Sequence, residues 1–234
     1  MWIGCEVMKY KMVVEGVFAK KLNRFVAEVY ISGKLEQVHI KNTGRLKETL
    51  QPGARLALET SDNPHRKTRY SIIAARKGNR WINIDSQIPN KLVYDAIAAG
   101  KIKEFHGIRD LKREARFRNS RFDLFYNRSE RGGFIEVKGV TLEQDGLAMF
   151  PDAPTTRGTK HVETLMQAVQ AGYEATVLFI IQMKGCHAFT THHAMDPNFH
   201  KALQEAERLG VRLLAYDSHV TASTIQLDRP IPII

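Results

Sequence analysis

A chain of 234 residues with 43% hydrophobic and 26% charged residues is globular, with enough material for one large or two ordinary domains. Its formal charge of +10, from 35 Lys+Arg against 25 Asp+Glu, suggests a polyanionic partner, nucleic acid or an anionic surface, unless the charge serves only solubility. The longest apolar run, Ala175 to Ile181, is far too short to cross a bilayer, and the opening MWIGCEVMKYKM has neither a charged n-region nor a long apolar h-region, so the sequence points to the cytoplasm and away from membranes. Cys5 and Cys186 form no CxxC pattern and no disulfide framework, which fits a reducing compartment.

The first third reads as short strands. VVEGVFAKK, RFVAEVYISG, KLEQVHIKN, ARLALETS and RYSIIAARKG are separated by Asn23, Gly33, the Asn42-Thr43-Gly44 cluster, Pro52-Gly53 and Asn63-Pro64. Such spacing with almost no helical periodicity predicts a small β-barrel over residues 1–89. That segment holds 16 of the Lys and Arg and only 8 of the acids, so most of the excess charge lies there, as a grip on a phosphate backbone requires. DSQIPNK is read as the boundary, with Pro89 ending the first unit and residues 90–234 forming the second.

KLVYDAIAAGKI has helical spacing closed by Gly100. EARFRNS, RFDLFYN and GGFIEVKGVTL follow, and the turn RSERGG predicts that the last two pair as an antiparallel hairpin. TKHVETLMQAVQAG places Val162, Leu165, Met166 and Val169 on one helical stripe; ATVLFIIQ is a buried strand, PNFHKALQEAERLG a second amphipathic helix and VRLLAY a further strand. Helices between apolar strands predict a sheet covered by helices, so the whole is a mixed α/β chain.

In the strand FIEVK, Glu136 and Lys138 share one face while Ile135 and Val137 share the other, which reads as core. Asp123 alternates with Phe122 and Leu124 in the partner strand, and a hairpin can set it across from Glu136. Two carboxylates with a lysine are hard oxygen ligands for Mg²⁺ or Mn²⁺ beside a group that offsets negative charge, as phosphodiester hydrolysis needs. The bland alternative is a weak exposed ion pair.

Asp123-x12-Glu136-x-Lys138 matches the PD-(D/E)xK nuclease pattern, with Phe122 where the signature has proline. The strings IKNTGRL, PGARL, SDNPHRK, IEVKGVTL, FPDAPTTRGTKHVETL and LAYD resemble the sugar fermentation stimulation protein A family. That resemblance implies an N-terminal OB-like barrel, a C-terminal restriction-endonuclease-like domain, and DNA as partner. It matches Glu114 to the extra upstream acid of such nucleases, unless Glu114 only balances Arg113 and Arg116. Asp152 is either a further metal-facing acid or a turn residue. Arg157 and His161, four apart at a helix start with Lys160 beside them, either reach the scissile phosphate or form an ordinary exposed helix face.

In the barrel, Arg24, His39, Lys41, Arg45, Arg66, Lys67 and Arg69 lie near strand ends and turns, with Phe25 or Tyr70 as stacking aromatics for a nucleic-acid strand; solvated surface charge is the alternative. His187, His192 and His193 read as a polar loop. The expectation is a DNA-binding protein with a Mg²⁺- or Mn²⁺-dependent phosphodiesterase site on Asp123 and Glu136. Two alternatives stand beside it: a DNA-binding regulator of sugar metabolism with a silent site, and an enzyme acting on RNA. A homodimer is one way to cut both strands of a duplex.

Overall fold

The computed structural model describes residues 7–234. Cys5 lies outside them; the Cys186 thiol is free and buried, and burial pushes it up to about 11. A two-residue strand β1 (Met8–Lys9) comes first, followed by β2 (Val13–Lys21), β3 (Val26–Ile31), β4 (Lys34–Ile40), β5 (Arg55–Thr60), β6 (Tyr70–Lys77) and β7 (Arg80–Asn83). Antiparallel pairing runs β4-β3-β2-β5-β6, and a short parallel contact, His39 to Ser71 and Ile40 to Ile72, closes these five strands into an OB-type barrel. Alternation builds its wall: in β3 Ala27, Val29 and Ile31 point inward and Tyr30 outward. β6 breaks the alternation because both of its faces are covered. Ile72 and Ala75 face the barrel interior, while Ile73 and Ala74 pack with residues of the following helix.

That helix, α1 (Ile88–Ala98), begins earlier than its periodicity suggests. Pro89 does not end the barrel but sits in the first turn of α1, where a missing N–H costs nothing. Beyond a 3₁₀ turn (Lys103–Phe105) come β8 (Arg109–Phe117), β9 (Ser120–Arg128), β10 (Arg131–Val140), β11 (Leu142–Gln144), β12 (Leu147–Phe150), α2 (Thr156–Gln170), β13 (Glu174–Ile181), β14 (Ala188–Thr191), α3 (Pro197–Arg208), β15 (Arg212–Val220) and β16 (Thr224–Pro230).

Seven strands form one mixed sheet in the order β1-β16-β15-β13-β10-β9-β8, with β10, β13 and β15 parallel at its centre. α2 and α3 cover one face and α1 the other. Central parallel strands are therefore buried on both sides, which is why Ala175 through Ile181 are all buried. β11, β12 and β14 form a small separate sheet.

A polar seam joins the barrel to this α/β half. Lys77 and Arg80 pair with buried Glu143 at 2.9 and 3.0 Å. The Gln182 amide donates to Asn83 Oδ1 at 2.8 Å, and the Arg45 backbone N–H donates to Asp152 at 2.9 Å.

Candidate active site

The β9–β10 hairpin turns at Ser129-Glu130, with Arg128 paired to Arg131 and Ser129 at a φ of 52°. The Gly132-Gly133 pair assigned to the turn from sequence lies instead within β10. The Tyr126 ring covers that strand so closely that a Cβ on Gly133 would come within 2.3 Å of it. Pairing continues through Phe134–Phe125 and Ile135–Leu124, so the same register sets Asp123 across from Glu136.

Both faces of the strand are covered. Ile135 and Val137 pack with the α1 core, while Glu136 faces α2 and is only 3% exposed. The pair is thus not an exposed one. Lys138 donates to Glu136 Oε1 at 2.6 Å, and His161 Nδ1 lies 2.5 Å from the same oxygen. Glu136 Oε2 is buried with no hydrogen-bond partner among the described residues. His161, itself buried, is held edge-on against the Phe122 ring at 5.9 Å, so the residue in the proline position of the motif packs the histidine.

Asp123 Oδ2 accepts from the Val137 N–H at 2.7 Å and Oδ1 from the Asn90 amide at 2.6 Å. Burial, reinforced by the charge of Glu136, pushes the Asp123 carboxyl up to about 6. Burial pushes Glu136 the same way, but the Lys138 ammonium and His161 outweigh it and hold the carboxyl below its usual value. Two facing acids are thereby driven apart in acidity, a pattern concentrated at functional sites.

The other candidates divide into groups. Glu114 occupies the register position facing Asp123 in β8, yet its φ of 55° turns the side chain outward to an exposed pair with Arg121 at 3.5 Å. Arg157 stays exposed on the first turn of α2, one turn before His161, behind the Thr155 cap that accepts from Gly158 N–H at 3.1 Å. Asp152 accepts from the Arg45 backbone N–H at 2.9 Å, in the seam. In the barrel, Arg66, Lys67 and Arg69 line one shallow depression, with Arg69 over the Tyr70 ring. Arg66 donates to Ser71 at 2.9 Å, and half-buried His39 is held below its usual value by burial and by the Arg66 and Lys41 charges. Arg24 stands apart over Phe25, and Arg45 is exposed. Lys41 is bound between Glu59 and Asp85, at 2.8 and 3.3 Å. His193 packs on His200, and the described residues contain no group of three or more His, Cys, Asp and Glu placed to hold a metal.

Sequence reasoning missed Asn90, which fixes Asp123 from α1, and Gln182, whose amide oxygen would lie 2.4 Å from a Cβ at Gly139. Neither carries a local signal. Each acts through a partner dozens of residues away.

An OB-type barrel joined to a helix-covered α/β domain, with a buried glutamate facing a half-buried aspartate and lysine in the central hairpin, defines a two-domain class. A family model described as "SfsA N-terminal OB domain" matches residues 20–84, and one described as "Sugar fermentation stimulation protein RE domain" matches residues 87–224. The chain belongs to the SfsA family. It is 51% identical over 225 residues to the sugar fermentation stimulation protein homolog of Alkaliphilus oremlandii, covering 94% of this chain and 96% of that one. With the homolog of Desulfitobacterium hafniense it shares 50% over 219 residues, covering 94% and 95%. A solved structure of Pyrococcus furiosus SfsA, described as in complex with Ca²⁺, superposes with a TM-score of 0.90 at 28% identity, covering 99% of both chains. Among the described residues no helix is long and apolar enough to cross a membrane.

Proposed function

We propose that this protein is a DNA-binding, Mg²⁺- or Mn²⁺-dependent phosphodiesterase, with Asp123 and Glu136 as the residues that would hold the ion. The observation that carries the reading is the buried, unpartnered Glu136 Oε2 next to an Asp123 whose ionisation is suppressed. Burying a carboxylate oxygen with no partner is costly, and a hard cation held by that oxygen and the facing Asp123 would remove the cost. The relative from Pyrococcus furiosus is described with Ca²⁺, an oxygen-seeking ion of the same kind. When bound, the ion would polarise the phosphate and lower the pKa of a coordinated water.

The chain's own residues divide the remaining work. Lys138 and His161 occupy Glu136 Oε1, which orients the carboxylate and leaves Oε2 for the ion. Lys138, half-buried beside the pair, offsets charge developing on the phosphate. Asn90 and the Val137 N–H fix Asp123. Arg157 at the start of α2 contacts the substrate phosphate, and Arg66, Lys67 and Arg69 on the barrel bind the nucleic-acid backbone.

The test is cleavage of labelled DNA in Mn²⁺ by wild type, Asp123→Asn and Glu136→Gln, with EDTA as control. Activity in wild type and its loss in both variants is expected. Wild-type inertness on single-stranded DNA, duplex DNA and RNA would overturn the nuclease reading and leave a DNA-binding regulator.

A further inference from the structure

We infer that the cleft between the barrel and the α/β sheet takes a single strand of nucleic acid and excludes a duplex; the chemistry done on that strand rests on the nuclease reading above, but the binding does not. The cleft has a volume of about 530 Å³, with Arg24, Asn42 and Gly44 on the barrel side and Gly139, Asp152 and Arg157 on the other. Cavities of roughly 300–1,000 Å³ enclose one small ligand, so this one has room for a nucleotide or two. A duplex, whose major groove alone is about 12 Å wide, does not enter. Widening it means breaking the seam, in which buried Glu143 holds Lys77 and Arg80, and Gln182 holds Asn83.

The cleft reaches β10 at Gly139, the residue after Lys138, and the first turn of α2 at Arg157, one helical turn before His161; Asp123, Glu136 and Lys138 are not in its lining. Arg24 and Arg157 face it from two domains, and neither has a carboxylate partner among the described residues. Asp152, the one acid in the lining, is occupied by the Arg45 N–H. Phe25, 46% exposed, follows Arg24 in the chain and lies under its guanidinium at 5.6 Å, an aromatic surface next to an arginine of the lining. Two arginines for successive phosphates and an aromatic for an unpaired base are what a single strand offers partners for, and paired bases do not present a free face to stack.

Fluorescence anisotropy with the full chain in EDTA, using a labelled oligothymidylate and a blunt duplex of equal length, tests this without any catalysis. The single strand is expected to bind at least about tenfold tighter. Arg24→Ala and Arg157→Ala should each weaken it and reduce the salt slope by about 0.7, one phosphate contact on a single strand. Phe25→Ala should weaken it about tenfold without changing the slope. Equal or tighter duplex binding, or equal losses on both probes, would overturn the inference. A protein that binds the strand with this pattern yet cleaves nothing in Mn²⁺ upholds the inference and overturns the nuclease reading. Cleavage of duplex that Arg24→Ala leaves unchanged does the reverse.

Discussion

Lys41 in the barrel and Lys138 in the hairpin are nearly alike by exposure, 17% and 13%, and each lies against buried acid. Around Lys41 the polar bonding is complete on Asp85: its Oδ1 accepts from the Gln87 N–H, and its Oδ2 from Lys41 and the Tyr10 hydroxyl. Around Lys138 it is not, since Lys138 and His161 both crowd one oxygen of Glu136 and leave the other empty. Residue type and strand position do not separate these two clusters. Satisfaction of each oxygen does, because a folded chain rarely leaves a buried acceptor bare without a ligand in prospect.

The largest expected effect sharpens that contrast. Lys138→Ala should lower DNA cleavage per folded molecule in Mn²⁺ by about 10²–10³, the usual size for one lost electrostatic stabiliser. Lys41→Ala should do the opposite: it costs roughly 1.5–3 kcal/mol of stability in urea melts through lost charge-assisted hydrogen bonds, with cleavage per folded molecule retained. If the two lysines behaved alike in both assays, the comparison would fail.

Next in size is the response to metal. Mg²⁺ at a hundredfold over its Kd should stabilise the protein by about 2.7 kcal/mol, read as a rise in Tm of roughly 5–10 °C for a chain of this length. Glu136→Gln should abolish the rise and Asp85→Asn should leave it intact; a rise of equal size in Glu136→Gln would put the ion elsewhere.

The smallest effect is a pH dependence. Asp123 has a folded value of about 6 against an ordinary 3.8, so its contribution to metal-free stability is full below about 3.8 and is lost as pH rises through 6. Mg²⁺ needs the ionised form and releases that proton. The Mg²⁺-induced rise in Tm should therefore be small at pH 5 and reach its full size above pH 7. A rise independent of pH across that window would mean that Asp123 is not a ligand.

Much of the frame was legible because alternation and turn residues are local: all five barrel strands follow them, as do β9, β10, α2 and α3. β7, β11, β12 and β14 were not, being three or four residues long, too short to show a period. The hairpin turn, read over RSERGG, lies within that string but ends two residues earlier: Gly132-Gly133 looks like turn chemistry, while its real cause is the bulk of Phe125 and Tyr126 overhead. Within the candidate site, Asp123, Glu136 and Lys138 were readable from spacing, and the structure gathers His161 with them. That Glu136 is buried was not readable, because the cover comes from α2, which lies beyond the hairpin in sequence.

The two-residue strand β1 has a consequence for how this chain comes into being. Met8 and Lys9 pair with Ile225 and Thr224, and the Tyr10 N–H donates to Ser223, so a segment made early waits for one made much later. At about 5–20 residues per second, roughly ten to forty seconds of synthesis separate the two. The barrel strands are complete long before that, but Tyr10, whose hydroxyl accepts from Asn83 beneath the barrel, reaches its final place only when residues 223–225 have emerged. A nascent chain stalled before that point carries a formed barrel beside an unfinished sheet edge, and it is at this edge that truncation would leave an aggregation-prone product.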